Sequence, residues 1–217
     1  EGRLVQLAEA PATPLFSFSK EDFRFRADGA LSHKQASDVA LQEVGESVQV
    51  INRTRDLSAV YATRQERALE AKQTLTPAQQ VLDILLADKY AEGASVICGF
   101  LLKDAQTELS LAVLYHIGPD GEASKPQISV NPDSMEFVIA QFSASRKLDK
   151  ASTQVVLFEN AEFLSVAGDA QAYPNERVWR GVPVRKVLWG AAVTTLAVAV
   201  GCAGWAAFQF QQVSSLA

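Results

Sequence analysis

The chain has 217 residues, 48 % of them hydrophobic, and a formal net charge of −5. That is enough for one packed domain beside a membrane segment, and it excludes a general nucleic-acid binder, which carries a basic face. Cys98 and Cys202 fall in different environments, so no intramolecular disulfide is expected, and His33 and His116 are too few and too scattered for a zinc site.

The first 29 residues lack helical periodicity. Pro11 and Pro14 precede an alternation of Phe16, Phe18, Phe23 and Phe25, which reads as an extended arm followed by a short strand. Leu4, Val5, Leu7, Leu15, Phe16 and Phe18 make this arm an apolar peptide suited to docking on a partner's sheet edge. The alternative is pairing with the chain's own edge strand over 126–130. Residues 30–168 read as an α+β domain. Within it, 37–47 reads as a helix with Val39, Ala40 and Val44 on one face, while 48–51 and 57–61 read as a hairpin around 52–56. The two readings compete. The run from Thr63 to Gln73 has strong helix formers but little apolar face, as in a solvated helix or linker.

The pattern then sharpens. Thr76, Pro77 and Gln79 read as an N-cap, a first-turn proline and a capping-box partner. Val81, Leu82, Leu85 and Leu86 form the buried stripe of that helix, and Gly93 is its stop. Apolar runs over 95–102 and 108–117 predict an antiparallel hairpin. The stretch Gly118-Pro119-Asp120-Gly121 predicts a turn, and 126–130 an edge strand beginning with a proline. Asp133 and Glu136 read as a second capping box ahead of Met135, Val138, Ile139 and Phe142, spaced i, i+3, i+4, i+7. Two strands, over 154–158 and 162–166, follow, either paired across Glu159-Asn160 or successive, and 169–186 reads as a basic juxtamembrane linker.

From 187 to 208 the chain carries no charge and no proline. About 22 residues at 1.5 Å rise reach roughly 33 Å, enough to cross a hydrocarbon core of ~30 Å. Arg177, Arg180, Arg185 and Lys186 crowd one flank, and nothing after Lys186 carries a side-chain charge. The positive-inside rule therefore places the large N-terminal part in the cytoplasm and 209–217 outside. Trp189 and Trp205 lie near the two ends, where indoles favour the water–lipid interface, and the cations suit anionic lipid. Gly190, Thr194, Ala197, Gly201 and Gly204 recur at three- and four-residue spacing, as expected of a face that packs on another helix; a plain alanine-rich span is the alternative. Phe208, Val213 and Leu216 suggest that the helix continues beyond the membrane.

No phosphate-binding glycine loop, dinucleotide fingerprint or nucleophile elbow is present in the sequence. Capping explains Asp133 and Glu136, and Cys98 sits in an apolar run as a small core residue. The layout resembles that of bitopic inner-membrane platform proteins of type IV pilus, type II secretion and related envelope machines. Some of their cytoplasmic domains are actin-like, and the order β-β-β-α-β over 95–102, 108–117, 126–130, 134–148 and 154–158 fits that core. The segment KDAQT stands where a phosphate loop would be, so the fold implied is degenerate and nucleotide-free. The resemblance implies a non-enzymatic, oligomeric scaffold without cofactor in a bacterial inner membrane. Its C-terminus would be periplasmic, and its partners would be other membrane-complex subunits and the bilayer rather than nucleic acid. A transmembrane regulator of the anti-sigma type is the alternative, and a membrane-tethered enzyme is disfavoured by the lack of a catalytic constellation.

Overall fold

The structure is a computed structural model that describes residues 3–6, 15–71, 74–87, 93–104, 109–149, 151–180 and 182–214. In chain order the elements are β1 (Arg3–Gln6), β2 (Leu15–Phe18), β3 (Phe23–Asp28), α1 (His33–Val44), β4 (Ser47–Arg53), β5 (Leu57–Arg64) and α2 (Gln65–Glu70). They continue with β6 (Leu75–Pro77), α3 (Ala78–Leu86), β7 (Ser95–Lys103), β8 (Ser110–Ile117), β9 (Gln127–Val130), α4 (Met135–Ser145), β10 (Thr153–Glu159) and α5 (Asn160–Ala167). The short strands β11 (Val178–Trp179) and β12 (Val182–Pro183) precede the long α6 (Val184–Ser214). This is a mixed α+β chain with one helix, among the described residues, long and apolar enough to span a membrane.

The central sheet has the order β10-β7-β8-β9. β7, β8 and β9 pair antiparallel as hairpin neighbours, while β10 returns parallel to β7 after the α4 crossover. Side chains alternate across β7, so Val96, Cys98, Phe100 and Leu102 face one core and Ile97 faces another. The first core is closed by α3, α5 and, against expectation, β2. The second lies under α4, where Val138 and Phe142 are buried with Met135 and Ile139 beside them, as their helical spacing requires. Gly99 is confined by this packing: a Cβ there would meet Leu157 Cδ2 at 2.7 Å, Leu114 Cδ2 at 2.9 Å and Met135 Cε at 2.9 Å.

The first half builds a second sheet, β3-β5-β4, all antiparallel. The competing readings of this region are both realised, since α1 and the β4–β5 hairpin coexist. The helix starts at His33 because Ser32 and Gln35 form a reciprocal capping box, with Gln35 N donating to Ser32 Oγ at 3.2 Å and Ser32 N to Gln35 Oε1 at 3.0 Å. The opposite sheet face buries Val48, Val50, Ala59 and Tyr61 against Ala68, Ala71, Leu75 and Tyr173.

Several expectations are corrected. Leu15, Phe16 and Phe18 are not a free docking arm: β2 pairs in parallel with β6 and antiparallel with β1, and Phe16 and Phe18 have no exposed surface. Leu4 and Val5 lie in β1, and Leu7 is outside the described residues. The own-edge alternative also fails in detail, because β2 pairs with 75–77 rather than 126–130. Thr76 does not cap α3. It is a buried strand residue opposite Phe16, and Pro77 takes the N-cap place without a side-chain cap bond. α3 ends at Leu86, ahead of Gly93. The α4 cap is Ser134, whose side chain accepts from Phe137 N at 3.1 Å, one residue along from Asp133. Residues 162–166 are helical rather than a strand. Glu159 N donates to Glu162 Oε2 at 3.1 Å, and Phe163 and Ala167, four apart, both turn into the core.

The linker expected over 169–186 is instead a strap bonded to the first half. Tyr173 N donates to Leu75 O at 2.7 Å, Asn175 Nδ2 to Ala71 O at 3.1 Å and Val178 N to Gln65 Oε1 at 3.2 Å, and Tyr173 is buried. Its prolines and arginines read as a loop because the partners lie about a hundred residues earlier in the chain.

Candidate membrane anchor and polar clusters

α6 has 31 residues, about 46 Å at 1.5 Å per residue. No part of its apolar stretch Val184–Ala207 is buried within the fold. Leu188, Trp189, Val193, Leu196, Val198, Val200 and Trp205 are 56–67 % exposed. Such a surface is far larger than a soluble monomer shows to water, so the helix is built for a lipid or protein environment. It starts at Val184, three residues before the expected 187, which places Arg185 and Lys186 in its first turn. Cations at a helix N-terminus oppose the macrodipole, so helix stability does not explain them.

Gly190, Thr194, Ala197, Gly201 and Gly204 fall on one face within about 80° of arc, at roughly 100° per residue. A Cβ added at Gly190, Gly201 or Gly204 would meet nothing within 4 Å, and Thr194 Oγ1 donates to Gly190 O at 2.9 Å. The face is therefore smooth, with the threonine hydroxyl satisfied inside its own helix.

At the base of α6 the two-stranded hairpin pairs Val178 with Pro183 and Trp179 with Val182. Val184 N closes it by donating to Arg177 O at 2.9 Å. Val178 packs on the first-half core, whereas Trp179 and Val182 are 59 % and 41 % exposed. The Arg180 guanidinium lies over the Trp179 ring, 5.5 Å from its centroid. Arg180 has φ 49°, a left-handed backbone that costs a non-glycine residue ~1 kcal/mol. Arg177 and Arg180 also line a groove of about 550 Å³ together with Leu41, Leu69 and Trp179. Sequence reading found the two arginines but missed Trp179 and Val182, whose alternation is too short to signal a hairpin.

Three polar clusters lie away from the helix. In the first, the β3 alternation turns Arg24 inward, where its side chain is 3 % exposed. Arg24 Nε donates to Asp83 Oδ2 at 2.8 Å and Nη1 to Gly121 O at 3.0 Å; Glu122 Oε2 lies 3.4 Å from Nη1, and Tyr61 Oη also donates to Asp83. Burial works against the Arg24 charge, but the Asp83 carboxylate outweighs it and holds the guanidinium above its usual range. This node joins the first-half sheet to α3 and to the 118–121 turn, and it borders a cleft of about 380 Å³.

In the second cluster Asp22 accepts from Ser17 Oγ at 2.8 Å, Ser19 N at 3.1 Å and Thr63 Oγ1 at 2.7 Å. Burial pushes its carboxyl up, against the opposing pull of Thr63, the Arg67 charge, Ser17 and Ser19. A carboxyl raised on folding stabilises the fold fully below its unfolded value of about 4, and that stability is lost as pH rises through the folded value. The melting temperature of the native chain relative to Asp22→Asn is therefore expected to fall as pH rises from about 4 to about 7. Thermal denaturation of both across that range checks it, and a difference that rises with pH refutes the assignment.

The third cluster brings Ser95 Oγ to 2.9 Å from His116 Nε2 and 3.2 Å from Thr153 Oγ1. Pairing of β7 with β8 and with β10 places these strand ends together. Burial and the nearby Arg146 hold His116 below its usual range, with Asp120 pulling the other way. Among the described residues no carboxylate hydrogen-bonds this imidazole, so the orienting third member of a nucleophilic triad is missing. Cys98 is fully buried, and burial followed by the Asp83 charge pushes its thiol up to about 12, which leaves it inert. Among the described residues no three His, Cys, Asp or Glu side chains gather as a metal cage.

No protein-family model matches this chain, and no curated protein matches it in sequence.

Proposed function

We propose that this chain is a non-enzymatic, single-pass membrane subunit of a multi-protein envelope assembly, whose N-terminal α+β domain is cytoplasmic and docks a soluble partner. The observation that carries the reading is an apolar helix with no buried residue over Val184–Ala207, joined to a folded domain by a bonded strap. A free tether would suffice to anchor an enzyme, whereas a strap suits a part that must hold a set position among others. The strand order β9-β8-β7-β10, with three antiparallel strands and then a parallel return, is the arrangement expected of a degenerate actin-like core and supports the kinship with pilus and secretion platforms. The smooth face of α6 supplies a surface for neighbouring membrane helices.

The docking surface for the soluble partner is the outer edge of β10. Among the described residues β10 has no strand on its far side, and Val155 and Leu157, 45 % and 50 % exposed, flank that edge beside Leu101 at 48 %. A seven-residue edge with neither Pro nor Lys to blunt it is a template for strand addition. The test is native mass spectrometry of the chain extracted in mild detergent from its own membrane. A large stoichiometric assembly is expected, with Val155→Lys losing the soluble subunit while the melting temperature stays within about 2 °C. A 1:1 complex with a transcription factor replaces this reading with a regulator, and micromolar Mg-ATP affinity by calorimetry replaces it with an enzyme or switch.

A further inference from the structure

We propose that the β11–β12 hairpin is a membrane-surface foot, which seats Trp179, Val182 and Arg180 in the anionic headgroup layer and so holds the folded domain in one pose against the bilayer. The inference rests on the membrane-spanning reading of α6. Three observations carry it.

The first is position. Val182 is five residues before 187, where the uncharged stretch begins, and α6 starts between them at Val184. At roughly 3.3 Å per strand residue and 1.5 Å per helical residue, Val182 lies no more than about 11 Å from the hydrocarbon boundary, with Trp179 beside it on the paired strand. A headgroup layer of about 5–8 Å and the length of an indole cover that distance.

The second is chemistry. Trp179 and Val182 are register partners and both are exposed, an apolar pair that the fold leaves open although Val178 beside them is packed inward. The guanidinium stacked on the indole adds a charge that binds phosphate, and Arg177, Arg185 and Lys186 surround it in sequence. A tryptophan body beneath an arginine head is the combination that suits a surface apolar on one side and anionic on the other.

The third is the backbone. Arg180 holds the left-handed conformation at the hairpin tip, where Asn or Gly would be easier. The arginine is kept there against its own backbone preference, which points to use of its charge. The strap bonds of Tyr173, Asn175 and Val178 then transmit the hairpin's position to the domain.

The chain has three tryptophans, Trp179, Trp189 and Trp205, so single-tryptophan forms are easily made. The full chain is reconstituted in phosphatidylcholine vesicles with and without about a third phosphatidylglycerol. Trp179 is read in W189F/W205F and Trp189 in W179F/W205F. Expected for Trp179 are a blue-shifted emission, quenching by a headgroup spin label and at least twofold protection from acrylamide, all stronger with phosphatidylglycerol. R180N, which suits the same turn, should abolish the phosphatidylglycerol dependence. Trp189 quenched by acyl-chain labels while Trp179 stays water-like in both vesicle types overturns the foot and leaves the anchor standing. Trp189 unquenched by acyl-chain labels overturns the anchor and the foot together. Equal protection of Trp179 in both vesicle types overturns the anionic assignment.

Discussion

Replacing Phe16 with alanine is expected to lower the melting temperature of the folded domain by at least about 6 °C. Phe16 has no exposed surface and meets Phe163 edge-on with ring centroids 4.9 Å apart; Phe163 in turn meets Phe100 at 5.0 Å. Truncating a core phenylalanine costs ~3–5 kcal/mol, because the transfer term and the cavity term add. In a domain of this size each kcal/mol moves the transition by roughly 2–4 °C. Leu41→Ala, at a site 55 % exposed, is the matched control and should shift it by less than about 1 °C. Equal small shifts in both variants would return β2 to the role of a detachable arm.

Arg24→Met carries the second large effect. The substitution keeps the stem but strands Asp83, with Tyr61 left as its donor, and leaves the Gly121 carbonyl with the longer bond from Arg26 Nη1 at 3.5 Å. Removing one member of a buried pair costs ~3–5 kcal/mol, and the remaining Tyr61 bond argues for the lower end. The expected drop is about 6–12 °C by thermal denaturation. Adding Asp83→Leu to Arg24→Met should recover part of that drop, since the stranded charge is then gone. A single-variant shift below about 1 °C would show that the node does not join the two halves.

Much of the chain was legible because its signals are local. Residues 187–208 declare a helix long and apolar enough to cross a membrane by their own composition, and that holds however the rest folds. The β7–β8 hairpin, the 118–121 turn, the β9 edge and the inward face of α4 follow from apolar periodicity and turn residues within each segment. The spacing of Gly190, Thr194, Ala197, Gly201 and Gly204 likewise defines one helix face without any tertiary information.

The remainder was decided by contacts between distant segments. Thr76-Pro77 has the local chemistry of a helix cap, yet the backbone of β2 takes those residues as a strand. Residues 162–166 read as a strand, but β10 already occupies the sheet edge beside β7, and it is from α5 that Phe163 and Ala167 reach the core. The charged and proline-containing stretch after 168 looks solvated until Leu75, Ala71 and Gln65 provide its hydrogen-bond partners. Arg24 looks like an exposed strand residue until Asp83, 59 positions later, gives its charge a buried partner. Residue order alone fixes which segments are apolar and with what period. Which of them pair is settled only when burying one against another outweighs the local preference of each.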